Sequence, residues 1–167
     1  MADTEDLAER LLGIAPDSPL AVLRTERASI RQHSEGAYRE LVLPAEPGGV
    51  SLAERAALAL RVALIERHEG LAAHFRALLQ QHGDAALLAA AQHFPAPAGA
   101  DRTALLLRYA DMVAVQPECC GQEDIDALAA QGLSPQDIVA VTQLIAFVPY
   151  QTRLLAGLRA LQEEASS

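Results

Sequence analysis

Apolar residues recur at spacings of three and four along most of the chain, and each such run predicts a helix with one buried face. Arg102 to Val115 carries Leu105, Leu106, Tyr109, Met112 and Val113 in this pattern and follows Asp101, a plausible N-cap. Gln122 to Gln131 repeats it with Ile125, Leu128 and Ala129, and Gly132 supplies the residue best suited to a left-handed helix end. Ser134-Pro135-Gln136-Asp137 then sets a capping hydroxyl, a proline at the first helical position and an acid at the positive end of the helix dipole. A long apolar helix follows to about Leu161. Pro149 lies inside it, where proline loses an amide donor and collides with the carbonyl of Ile145, so a kink or break is predicted there.

The N-terminal half reads as helices separated by proline-marked loops. Glu5 to Gly13 is a short amphipathic segment with Leu7, Leu11 and Leu12 on one side, ended by Ala15-Pro16-Asp17-Ser18-Pro19. A second helix opens at Pro19 and runs through Leu20, Leu23 and Ile30 toward Tyr38 and Leu41. Pro44 to Gly49 is the clearest linker, and Ser51-Leu52-Ala53-Glu54 after it is a capping box. The helix opened there is predicted to continue through Leu58, Val62, Ile65 and Leu71 to about Gln81, with Gly70 as its weak point. His82-Gly83-Asp84 ends it and starts Ala85 to Gln92, closed by Pro95 and Pro97. The expectation is an all-α fold of about seven helices in one domain spanning 1–167, with 1–50 an N-terminal helical extension and loop. Val141, Leu144, Ile145, Phe147, Val148 and Leu155 make the last helix apolar around too much of its circumference for one monomer core, so a homo-oligomer is expected.

Composition agrees with a helical core and narrows the partners. Hydrophobic residues are 51% of the 167 and aromatics 4%, with no Trp, so Leu, Ala, Val and Ile must fill the interior. A net charge of −9 leaves no basic face for nucleic acid or anionic lipid. No apolar run is read as a membrane span, and the acidic start Met1-Ala2-Asp3-Thr4-Glu5-Asp6 is unlike a secretory signal, so a cytoplasmic protein is expected. The only cysteines, Cys119 and Cys120, are adjacent and can form neither a disulfide framework nor a Cys-rich metal site.

The segment from Leu105 to Leu158, with Tyr109-Ala110, Gln122 to Ile138 and Thr152 to Gly157, resembles the peroxidase-related branch of the carboxymuconolactone decarboxylase and alkylhydroperoxidase-like superfamily. Upstream text from about Leu11, including Ser51 to Leu64, resembles it as well. The resemblance implies an oligomeric alkylhydroperoxidase-like helical bundle. It also implies where chemistry belongs, because active members carry a glutamate, a Cys-x-x-Cys pair about three turns later and a histidine one turn beyond, so that a thiolate can form near neutral pH. Matching on Leu60-Arg61-Val62-Ala63 puts His68 and Leu71 at the cysteines and Phe75 at the histidine. Matching on Glu54 puts Glu66 and Glu69 at the cysteines and Ala73 at the histidine. Neither register recovers a thiol.

The candidate catalytic residues are therefore Glu54, Glu66, His68 and His74, any of which could serve proton transfer, beside the thiols Cys119 and Cys120 near the start of the Gln122 helix. Against each stands a plainer role: Glu66, Arg67 and Glu69 as a solvated face, the histidines satisfied at a helix or subunit interface, and the cysteines as small buried hydrophobes. A spacing of six residues turns His68 and His74 apart on a straight helix, so no metal site is read, and no cofactor. The expected function is that of a peroxidase-related homologue that has lost the redox pair and binds a small molecule or serves structurally. The alternatives are a cofactor-free acid/base enzyme of the lactone decarboxylase type and an antioxidant alkylhydroperoxidase using Cys119 or Cys120.

Overall fold

The computed structural model describes residues 6–165, and over them the chain forms nine α-helices and one 3-10 turn, with no strand. The helices are α1 Leu7–Leu12, α2 Pro19–Thr25, α3 Ala28–Val42, α4 Leu52–Ile65, α5 Glu69–His82, α6 Ala85–Gln92, α7 Arg102–Val115, α8 Gln122–Ala130 and α9 Pro135–Ala165, with the 3-10 turn Pro117–Cys119 between α7 and α8. Glu5, assigned to the first helix from sequence, lies outside the described residues. Nine helices stand where about seven were expected, because two long helices are each divided.

The axis of the bundle is α4, which packs against α3, α5, α6, α7 and α9. All its residues from Arg55 to Ala63 are buried, so it must be apolar on every side, and its alanines let neighbouring helices approach closely. Its start is the predicted capping box: the Glu54 amide donates to Ser51 Oγ at 3.2 Å and the Ser51 amide to Glu54 Oε2 at 2.8 Å. Two arginines interrupt the apolar surface, each with its donors satisfied. Arg55 donates to the carbonyls of Leu41, Pro47 and Val50 and so fastens the linker. Arg61, with no exposed surface, grips Asp111 of α7 with two nitrogens, donates to the carbonyls of Ala91 and His93, and stacks 4.1 Å from the Phe94 ring centre.

The predicted helix from Ser51 to Gln81 does not run through. It stops at Ile65, and Gly70 is not the reason. The Arg67 amide donates to Leu64 O and the His68 amide to Ala63 O, the two bonds of a Schellman stop, with Arg67 in the left-handed region at φ 56°. His68 then caps α5, its Nδ1 accepting from the Leu71 amide at 3.2 Å. The second helix predicted from Pro19 to Leu41 is likewise divided, at Glu26 and Arg27. The break lets Arg24 of α2 and Arg31 of α3 both reach the acids of α1. Arg24 lies 2.6 Å from Asp6 and Arg31 3.2 Å from Glu9. Leu23 and Ile30, expected inside, are 54% and 55% exposed.

Helix α9 corrects two further expectations. It continues through Pro149 to Ala165, so of the kink or break expected there the break is absent. The surroundings hold it in place, since Leu144, Ile145 and Val148 before Pro149 and Gln151 and Leu155 after it are almost wholly buried. It is also, among the described residues, long and apolar enough to cross a membrane, contrary to the sequence reading. Here it lies against α1, α2, α3, α4, α7 and α8 as a core helix. Its first turn is anchored to the linker by Asp137, which accepts from the Ser134 amide at 2.9 Å and from the Gly49 amide at 2.9 Å. A Cβ at position 49 would collide with that carboxylate, so the linker needs glycine there.

Candidate functional site

Helices α1, α3, α5 and α9 enclose a half-open cavity of about 580 Å³. Leu7, Leu43, Leu78 and Leu154 form its apolar wall, and Arg10, Tyr38, Arg39, His74 and Gln151 bring polar groups to it. His74, half-buried on α5, is the centre of that polar set. Its Nδ1 lies 3.1 Å from a guanidinium nitrogen of Arg10, and its Nε2 lies 2.7 Å from the Tyr38 hydroxyl.

The directions of these bonds follow from the partners. Arginine has only donors, so Nδ1 of His74 must accept. A neutral imidazole then carries its single proton on Nε2 and donates it to the Tyr38 oxygen. Tyr38 therefore does not spend its own proton on His74. Burial first, and then the positive charge of Arg10, hold the His74 pKa down at about 4, which keeps the ring neutral at pH 7. Burial likewise pushes Tyr38 up to about 12, with Arg10 pulling the other way, so its proton stays in place. On the α9 side, Gln151 is 3% exposed and its amide nitrogen is 3.2 Å from Ser34 Oγ, while its other amide atom makes no hydrogen bond among the described residues.

Of the candidates named from sequence, only His74 lines this cavity. Glu54 is committed to its capping box and to Arg102, 2.5 Å away. Burial would raise its pKa, but the bonds from Arg102 and Ser51 outweigh it and hold the carboxyl below its ordinary range. Glu66 ends α4 and its nearest cation is Arg153 at 3.7 Å. His68 is a helix cap. Cys119 is exposed at the end of the 3-10 turn, and Cys120 is half-buried beside Tyr109. Neither cysteine contributes to the cavity. The cap of α8 is Gly121, whose amide donates to Asp124 at 2.9 Å, so the helix's own carboxylates take up its positive end. Among the described residues no group of three or more His, Cys, Asp or Glu side chains is placed to hold a metal.

The helical arrangement is shared with two solved structures. One is an uncharacterized peroxidase-related protein from Silicibacter sp. TM1040, with TM-score 0.67 and 20% identity over 78% of this chain and 68% of that one. The other is an alkylhydroperoxidase AhpD core, an uncharacterized peroxidase-related protein from Ralstonia eutropha JMP134, with TM-score 0.66 and 18% identity over 89% of this chain and 80% of that one. The fold is alkylhydroperoxidase-like. No family model and no curated protein matches the chain. At such identities the likeness speaks for the fold, and activity has to be argued from side chains.

Within this alkylhydroperoxidase-like bundle, both sequence registers for the cysteine pair fall at the α4–α5 break. His68 caps the helix and Leu71 is fully buried, whereas Glu66 is half-buried and Glu69 exposed. Sequence reasoning missed Arg10, Tyr38 and Gln151 because each belongs to a different helix and only tertiary packing brings them to His74. The one available hint is Tyr38, a rare aromatic in an aromatic-poor chain, which in sequence marks only the end of the second helix.

Proposed function

We propose that this protein is an alkylhydroperoxidase-like homologue that binds a small molecule and does not run a dithiol peroxidase cycle. The observation that carries the reading is the cavity at His74, which has an apolar wall and a fixed hydrogen-bonding chain but no sulfur. A two-cysteine cycle needs an activated thiolate to attack the peroxide and a second sulfur to resolve the sulfenic acid. The two cysteines lie on the α7–α8 connection, adjacent in sequence, where closing a disulfide strains the intervening peptide.

The acid/base alternative finds less support. A general base needs a free nitrogen or oxygen and a pKa near the working pH. His74 has both ring nitrogens bonded and a pKa near 4. Glu54 is likewise occupied by Arg102 and Ser51. The test is consumption of cumene hydroperoxide with a thiol reductant, on the wild type and on Cys119→Ser/Cys120→Ser. Turnover at the background rate in both proteins is expected. Robust turnover abolished by the double substitution would defeat the reading and favour the cysteine-based one.

A further inference from the structure

The hydrogen-bond directions at the cavity say what kind of ligand end it accepts. Arg10 donates to His74 and His74 donates to Tyr38, so the phenol proton of Tyr38, which has no acceptor among the described residues, remains for a ligand. The charge of Arg10 acts directly on that hydroxyl. Arg10 and Arg39 both line the cavity, and neither has a carboxylate partner among the described residues.

The cavity's own acids, Asp6 and Glu35, share Arg24 and Arg31 with Glu9 of α1, three carboxylates to two guanidiniums, so that with Arg10 and Arg39 the group carries one positive charge in excess. Asp6 lies 2.6 Å from Arg24 and 3.5 Å from Arg31, and Glu35 lies 3.1 Å from Arg31. What the cavity leaves unanswered is therefore positive charge and a hydroxyl donor, in a protein whose net charge is −9. Each polar group has a leucine about one turn away on the same side of its helix: Leu7 beside Arg10, Leu43 beside Arg39, Leu78 beside His74 and Leu154 beside Gln151. Gln151, almost fully buried, has its amide nitrogen 3.2 Å from Ser34 Oγ, and the amide oxygen left over only accepts, so it takes no part in holding an anion.

We propose that this cavity is a binding site for a small monocarboxylic acid with an aliphatic body, the carboxylate taking the Tyr38 proton as a hydrogen bond beside Arg10 and Arg39. This deepens the small-molecule reading above and rests on it. His74 is a positioning residue: it fixes Tyr38 so that the hydroxyl points its proton away from the imidazole. A neutral hydroxyl donor is a selective reader here, because it pairs with an anionic oxygen more strongly than with an amide carbonyl, while the guanidinium of Arg10 repels an ammonium.

The test is calorimetric titration at pH 7 with three probes that share one chain: octanoate, octanamide and octylammonium. Octanoate is expected to bind at least about tenfold more tightly than octanamide, and octylammonium not at all. Tyr38→Phe keeps the ring and is expected to weaken octanoate about tenfold with octanamide little changed. Ala77→Phe, which fills the cavity from an exposed position of α5, is expected to abolish binding, with thermal unfolding confirming that both variants fold. Equal affinity for octanoate and octanamide, unaffected by Tyr38→Phe but lost in Ala77→Phe, overturns the carboxylate assignment and leaves a general apolar cavity standing. Octanoate binding that survives both substitutions places it elsewhere and overturns the proposal. Absence of binding by all three probes does the same. Failure of the underlying functional reading shows separately, as cysteine-dependent peroxide turnover.

Discussion

Replacing Arg61 with methionine removes the one cation among the described residues that has no exposed surface, while keeping an unbranched apolar stem of similar length. The side chain joins α4 to α7 through Asp111 and to the end of α6 through the carbonyls of Ala91, at 3.2 Å, and His93, at 2.8 Å. Breaking a buried ion pair from one side typically costs about 3–5 kcal/mol, because the other charge is stranded. The Asp111 side chain is 27% exposed and can recover some water, which brings that loss to about 2 kcal/mol. Two carbonyls losing their donor add about 1 kcal/mol each, and the lost stacking on Phe94 adds about 0.5 kcal/mol. The expected total is about 4.5 kcal/mol, or a fall in Tm of roughly 9–18 °C for a domain of this size. Urea denaturation followed by far-UV circular dichroism measures it, and Arg61→Met/Asp111→Leu, which removes both charges, should recover part of the loss. A cost below about 1 kcal/mol for Arg61→Met would refute the claim that this pair organises the bundle.

Arg67→Gly should stabilise the protein by about 0.5–1 kcal/mol, since glycine relieves the left-handed backbone at φ 56° and gives back part of the gain as chain entropy; a loss of stability on urea denaturation would mean that the arginine side chain contributes there. His74 should make stability fall as pH drops from 6.5 to about 4, because over that window the unfolded chain binds a proton that the folded one refuses. The difference between wild type and His74→Gln isolates this slope from that of the carboxylates, and parallel pH profiles would contradict it. Val141, Leu144, Ile145, Phe147, Val148 and Leu155, from which the sequence predicts an oligomer, are all buried within one chain, which removes that argument because α1, α2, α3, α4, α7 and α8 pack against α9. A homo-oligomer then rests on Val139 and Tyr150, 55% and 42% exposed on α9, and is expected by light scattering at micromolar concentration as a mass well above the 17.7 kDa of one chain, which a monomer there would refute.

The helix starts were legible in the sequence because capping is local chemistry. Ser18, Ser51, Asp84 and Asp101 each accept from an amide two or three residues on, and Gly132 takes the left-handed position assigned to it. The helix stops were harder to read. Arg67 adopts a conformation that glycine would normally supply, so Gly70 drew the attention and the true stop carried no signal. The division at Arg27 lacks a side-chain cap and is held by ion pairs to α1, which a linear pattern does not display. The same limit applies to the cavity. The resemblance sets its histidine at Phe75 or Ala73, on either side of His74, but the partners of His74 come from 64 and 36 residues away, which no register along one helix displays. Glu54 shows the reverse: its capping role was plain in sequence, while the salt bridge with Arg102 that occupies its carboxylate was not.

The central claim is that His74 is neutral, protonated on Nε2 and occupied at both nitrogens, so that it orients Tyr38 instead of exchanging protons. Long-range ¹H–¹⁵N spectra of the imidazole side chains, with the His74 signal assigned by its loss in His74→Gln, read the charge and the tautomer directly. The account predicts a single neutral Nε2–H tautomer from pH 8 down to about 5 and a midpoint near 4. A His74 signal titrating near its ordinary 6.5, or populating the Nδ1–H tautomer at pH 7, would contradict the account and return the residue to the list of usable general bases.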